Sequence, residues 1–212
     1  MIGDTNFWLF LAAALVIAAV PGPGIFYVAA RTLTDGRGAG YASTAGTALG
    51  GLVHVVAGGL GISAIILASA NLFAAVKFAG AIYLVWLGIK TFRSAGRPLP
   101  AFESTGGRHA FRDGVLVEAL NPKTAAFFLA FIPQFLDPAA SSPTLQFILL
   151  GAISVTLNTL ADVIVVLLAS ATRTQLVGRL QLMRRLTQGS GVFIAGLGLS
   201  LALARRPGAT AP

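Results

Sequence analysis

Residues 5–30 read TNFWLFLAAALVIAAVPGPGIFYVAA, a stretch of 26 positions without one charged side chain. A helix needs about 20 apolar residues to cross roughly 30 Å of hydrocarbon, so this stretch is long enough to span a bilayer. About two thirds of the way along it stands Val20-Pro21-Gly22-Pro23-Gly24. Each proline removes a backbone donor and clashes with the preceding turn, so the helix must kink or unwind there. Within lipid, non-helical backbone survives only where it is buried in protein or lines a water-filled cavity. The stretch therefore predicts a membrane helix with a binding region at its break. A packing kink is the plainer alternative, because proline and glycine are tolerated in membrane helices.

Composition extends this reading to the whole chain. Of 212 residues 56% are hydrophobic and 10% charged, whereas soluble domains carry about 25% charged residues. The formal charge of +8 sits on basic residues between apolar runs, which predicts a bilayer environment and no nucleic-acid partner. The absence of cysteine excludes disulfides, thiolate catalysis and cysteine-ligated metals. Asp4 stands where a secretory signal would carry a basic residue, and the apolar stretch is too long for one, so the amino terminus is expected to stay in the mature protein.

The pattern predicts an all-α membrane protein with a single transporter domain over 1–212. Its helices fall at about 7–30, 40–68, 72–92, 114–136, 144–172 and 188–204, with a polar loop at 93–113. Arg31 and Arg37, then Arg93, Arg97, Arg108 and Arg112, then Arg173, Arg179, Arg184 and Arg185 collect in alternate loops. Those loops are expected to face the cytoplasm, which places both chain ends outside. Arg205 and Arg206 run against that placement, and a five-span version with one segment at the interface relieves the conflict.

Asn121-Pro122-Lys123 interrupts the fourth span as the Pro-Gly-Pro segment interrupts the first. Each break opens a group of three helices. Three is odd, so a duplication would give two inverted three-helix repeats with broken helices 1 and 4 meeting near the midplane. Amides and carbonyls freed at the breaks suit the carboxylate and amine of a zwitterion. Lys123 has a plainer reading as a side chain snorkelling to the interface. Ser154, Asn158 and Asp162 recur every four residues and share one helix face. A carboxylate within a span costs about 2.5 to 3.5 kcal/mol, so Asp162 is expected to pair with Lys123 at salt-bridge distance. Gly46, Gly50, His54 and Gly58 form another such series, in which His54 serves either an interhelical hydrogen bond or a proton relay. Glu118 is placed at the interface, and His109 is given no role.

The substrate and transport site predicted from these signals comprises Pro21, Gly22, Pro23, Gly24, His54, Asn121, Pro122, Lys123, Asn158 and Asp162. No phosphate-binding loop, zinc helix or nucleophile elbow occurs. The chain is thus expected not to be an enzyme or an ATP-driven pump, and to use neither cofactor nor metal. Transport would run on a gradient, for which proton exchange is the simplest choice.

Together these residues resemble the LysE/RhtB family of amino-acid exporters, whose first span carries Pro-Gly-Pro and whose fourth carries Asn-Pro-Lys. The resemblance continues through Ala30-Arg31-Thr32-Leu33, Gly36-Arg37-Gly38-Ala39-Gly40, Phe111-Arg112-Asp113-Gly114, residues 127–135 and Gly196-Leu197-Gly198-Leu199, covering nearly the whole chain. It implies a multi-pass protein of the bacterial inner membrane that exports amino acids or close derivatives by proton antiport, as a homodimer. The family commonly reads Thr-Pro-Gly-Pro-Asn where this chain has Val20-Pro21-Gly22-Pro23-Gly24, and is often acidic where this chain has Gly51. Two rival readings stand beside it. Export of a metal cation or other small solute requires clustered carboxylates or histidines. A non-transporting scaffold would use the glycines for packing alone.

Overall fold

A computed structural model describes residues 4–68, 70–95, 107–137, 142–171 and 180–203, and their regular elements are all helical. The first apolar stretch forms α1 (Asp4–Ala19) and α2 (Pro23–Asp35), whose axes bend by 43° at the break. The predicted end of this span at Ala30 is too early, because α2 continues through the polar segment to Asp35. Arg31 stabilises that last turn through an ion pair to Asp35, one turn on, at 3.1 Å. Gly36 then takes φ of 89°, a conformation that side chains with a Cβ adopt only with strain, and turns the chain into the next helix.

The remaining elements are α3 (Arg37–Ala68), α4 (Ala70–Arg93), α5 (Gly107–Ala119), α6 (Pro122–Ala126), α7 (Pro143–Ala171) and α8 (Leu180–Leu203). After α6 the chain widens into a π-helical turn over Phe127–Phe131 and tightens into a 3-10 turn over Ile132–Phe135. Pro133 lacks the N–H that would continue α-helical bonding, and the change of register accommodates it. Helix α5 starts well before the expected 114, so part of the predicted polar loop 93–113 is helical. Its first turns are amphipathic: Arg108 and Arg112 are exposed, while Ala110 is buried and accepts a hydrogen bond from the Tyr27 hydroxyl at 3.0 Å.

Among the described residues four helices are long and apolar enough to cross a membrane, at 37–61, 74–93, 108–135 and 143–171. The bent α1–α2 pair makes five when it is counted as one span, and the apolar part of α8, 187–203, is shorter. Burial is inverted relative to a soluble domain. Ser43, Thr44, Thr47, Ser154 and Asp162 are buried, while Leu60, Ile82, Leu120 and Leu203 point outward, as lipid-facing surfaces require. Phenylalanines at 10, 127, 128, 131 and 147 form the main apolar cluster.

Helix α3 packs on α5 and α7, α2 on α3 and α7, and α4 on α8. Glycine allows the closest of these approaches, since helices in lipid associate through close packing of small residues. A Cβ at Gly50 would stand 2.6 Å from the Val115 carbonyl, and one at Gly191 2.6 Å from the Gly88 carbonyl. The first seam matters for the site because both of its helices contribute to the wall of an internal cavity, α3 through Thr47 and α5 through Glu118.

Candidate functional site

A proline in a helix leaves the carbonyl four residues earlier without its usual partner. For Pro21 that carbonyl is Ile17, and the Lys123 ammonium donates to Ile17 O at 3.2 Å and to Val20 O at 3.0 Å. For Pro122 it is Glu118, whose carbonyl lies 2.9 Å from His54 Nε2. A carbonyl only accepts, so this nitrogen of His54 carries the hydrogen. Each break is therefore completed by a side chain from another helix. Without Lys123 the Ile17 carbonyl would lose this donor at membrane depth, where an unpaired carbonyl costs several kcal/mol, whereas the Glu118 carbonyl also accepts from the Asn121 N–H at 3.0 Å.

Between the breaks lies a cavity of about 20 Å³, room for about one water. Its polar wall includes Thr47, Glu118, Asn121, Lys123, Asn158 and Asp162, and Ile25, Ala48, Phe128 and Val155 supply apolar surface. Asn121 is extended, and its side chain accepts from the Lys123 backbone N–H at 3.0 Å, capping α6. Glu118 Oε2 accepts from Asn121 Nδ2 at 2.8 Å, and its Oε1 accepts from the Thr124 hydroxyl at 2.6 Å. Asp162 Oδ2 accepts from the Thr47 hydroxyl at 2.7 Å, which joins α3 to α7 across the cavity.

Of the residues predicted from sequence, Gly24, Asn121, Lys123, Asn158 and Asp162 line this cavity. Pro21, Gly22, Pro23 and Pro122 shape the breaks without lining it. Three expectations are corrected. Lys123 and Asp162 face one cavity but form no ion pair within 4.0 Å among the described residues, because Lys123 reaches back to α1 and Asp162 across to Thr47. His54 makes the interhelical hydrogen bond expected of it, to Glu118 O, but stands outside the lining, 5.7 Å from the Phe128 ring between centroids. Glu118 is not an interfacial carboxylate. It is 8% exposed and fills the space left by the missing side chain at Gly24, where a Cβ would stand 2.6 Å from its Oε2.

Thr47 gives little signal in the sequence, as a lone threonine beside Gly46. Glu118 had one, since it lies three residues before Asn121 and so shares its helix face. Among the described residues no group of three His, Cys, Asp or Glu side chains could hold a metal ion. His54→Leu is expected to lower stability by about 1 to 2 kcal/mol through the lost hydrogen bond. The measurement is the melting temperature in detergent, alongside a pH profile of transport, which this substitution is expected to leave unchanged in shape.

A family model described as LysE type translocator matches residues 15–205. An uncharacterized membrane protein of Vibrio cholerae is 34% identical over 210 residues, covering 95% of this chain and 99% of its own. Another from Pseudomonas aeruginosa is 30% identical over 210 residues, covering 96% and 97% respectively. A leucine efflux protein of Enterobacter sp. is 29% identical over 152 residues, 70% of this chain and 72% of its own. No solved structure matches. With a model match over nearly its whole length, a bent first span and apolar helices long enough to cross a bilayer, the chain is a multi-pass membrane protein that belongs to the LysE type translocator family.

Proposed function

We propose that this protein exports neutral amino acids with apolar side chains across the bacterial inner membrane, by proton antiport and alternating access around the cavity between the two breaks. The observation that carries this reading is the cavity wall itself. Buried charge and hydrogen-bonding groups at Glu118, Lys123 and Asp162 stand beside Ile25, Ala48, Phe128 and Val155. That combination suits a zwitterionic head with an apolar side chain, because pockets orient ligands with a few polar groups set in apolar surface. The relative named as a leucine efflux protein supports the substrate class.

A volume of about 20 Å³ is far below the roughly 300 Å³ at which small-molecule pockets begin. Substrate entry therefore requires the helices around the breaks to move apart. In this reading the first and second groups of three helices are inverted repeats that rock against each other. Arg31, buried and paired with Asp35 at 3.1 Å and Asp113 at 3.4 Å, ties α2 to α5 on the side expected to be cytoplasmic. The contact closes that side in the occluded state. Export then requires it to part.

The test is counterflow in proteoliposomes with a panel of labelled amino acids, with and without a pH gradient. Leucine or a similar amino acid is expected to exchange in the parent, with net movement driven by the gradient. Asp162→Asn is expected to reduce gradient-driven transport by a factor of 100 or so, a loss of about 2.7 kcal/mol. A parent that moves no amino acid, or a variant that matches it, overturns the proposal.

A further inference from the structure

We infer that the three ionisable side chains of the cavity divide their roles: Glu118 and Lys123 complete the broken first span, and Asp162 alone binds proton and substrate ammonium in turn. The inference rests on the exporter reading and assigns the coupling within it.

The division follows from what each group already touches. Helix α1 ends in carbonyls, the negative pole of its backbone dipoles, and Lys123 Nζ donates to two of them, Ile17 O and Val20 O. Helix α2 begins at Pro23, and the N–H groups of its first turn have no partner within the helix. The Glu118 carboxylate lies at that positive pole, over Gly24, with both oxygens already accepting from Asn121 and Thr124. Positive charge thus meets the end of α1 and negative charge the start of α2. A segment of six residues, 118–123, supplies both.

Asp162 is placed differently. It is 5% exposed and lines the cavity. Oδ2 accepts from Thr47, and among the described residues Oδ1 has no hydrogen-bond partner and no cation lies within 4.0 Å. The charged groups that act on it are Glu118 from α5 and Lys123 from α6. Where α2 and α3 line the cavity they present Gly24, Ile25, Thr47, Ala48 and Gly51, none of them charged. With Glu118, Lys123 and Asp162 all ionised the cavity wall carries one surplus negative charge, and the carboxylate with an unused oxygen is where a cation is best accommodated.

Proton and ammonium exclude each other on that carboxylate. The protonated acid releases one proton when an ammonium binds to the carboxylate, and charge balances without any further reactant. Alternation of the two between opposite membrane faces couples export to proton entry.

The experiment is equilibrium binding of labelled leucine to the full-length protein in detergent, from about pH 5 to about pH 8.5. On the acid limb, parent affinity is expected to fall about tenfold per pH unit, as competition with one proton requires. Asp162→Asn is expected to bind at least tenfold more weakly at the alkaline end and to lose the slope, while Asp162→Glu keeps a slope with a displaced midpoint. Glu118→Gln is expected to lower the melting temperature yet retain the slope. A slope that survives Asp162→Asn, or one that vanishes with Glu118→Gln while the protein stays folded, overturns the assignment and leaves the exporter reading standing. A parent that binds no amino acid at any pH overturns both.

Discussion

Lys123→Met is expected to be the most damaging single substitution in the membrane-spanning part of this protein. Methionine retains most of the aliphatic stem but donates nothing, so Ile17 O and Val20 O lose the ammonium that now bonds both. Hydrogen bonds to a charged group contribute about 1.5 to 3 kcal/mol each. Removal of one member of a buried charge set costs about 3 to 5 kcal/mol, because the remaining charges are left uncompensated. Here the remaining charges are Glu118 and Asp162, both on the cavity wall. A loss of about 4 kcal/mol corresponds to a melting temperature lower by roughly 10 °C. Thermal unfolding in detergent and the yield of monodisperse protein are the measurements. Lys123→Arg provides the contrast: it keeps the charge but needs more room beside Gly22, where a Cβ would already stand 3.2 Å from Lys123 Nζ. We expect it to recover part of the stability, and a Met variant as stable as the parent would show that the first break is held by something else.

Gly46→Val should have the second largest effect, and it acts through packing alone. A Cβ at position 46 would collide with the Phe111 carbonyl oxygen and stand 3.1 Å from the Gly114 Cα, so it meets backbone that cannot swing aside. Overpacking of this kind typically costs about 1 to 3 kcal/mol, and the upper end applies where the neighbour is backbone. The consequence extends beyond stability. Thr47 follows on the same helix and Glu118 lies on the opposing one, so separating α3 from α5 displaces two polar groups of the cavity. Loss of transport together with a lower melting temperature is the expected result. Gly196→Ala is the control. Its Cβ would meet nothing within 4 Å, and alanine exceeds glycine in helix propensity by about 1 kcal/mol. Equal damage from both substitutions would refute the seam as the cause.

The sequence alone was enough to place this chain in the membrane and to locate its two interruptions. Both conclusions rest on local physics: the length of uncharged runs relative to the hydrocarbon, and the donor that a proline lacks. The first break is a full interruption with a bend of 43°, while the second leaves 108–135 as a single span interrupted at Asn121. The difference also has a local cause. Two prolines flank Gly22, whereas Asn121 restarts the helix at once by capping it with its own side chain.

Partnership was decided only by the tertiary structure. From spacing, Lys123 and Asp162 look like an ion pair because they are opposite charges in adjacent spans, yet each has a nearer partner in a helix distant in sequence. Ile17 lies 106 positions from Lys123, and Thr47 lies 115 positions from Asp162. Glu118 counts as interfacial if depth is judged by its distance from the start of a span, but α5 begins above the predicted span and carries Glu118 down to the break. A sequence displays which backbone groups a proline has freed. Which side chain satisfies them depends on how helices far apart in the chain pack, and here glycines bring those helices close enough for one lysine and one histidine to reach.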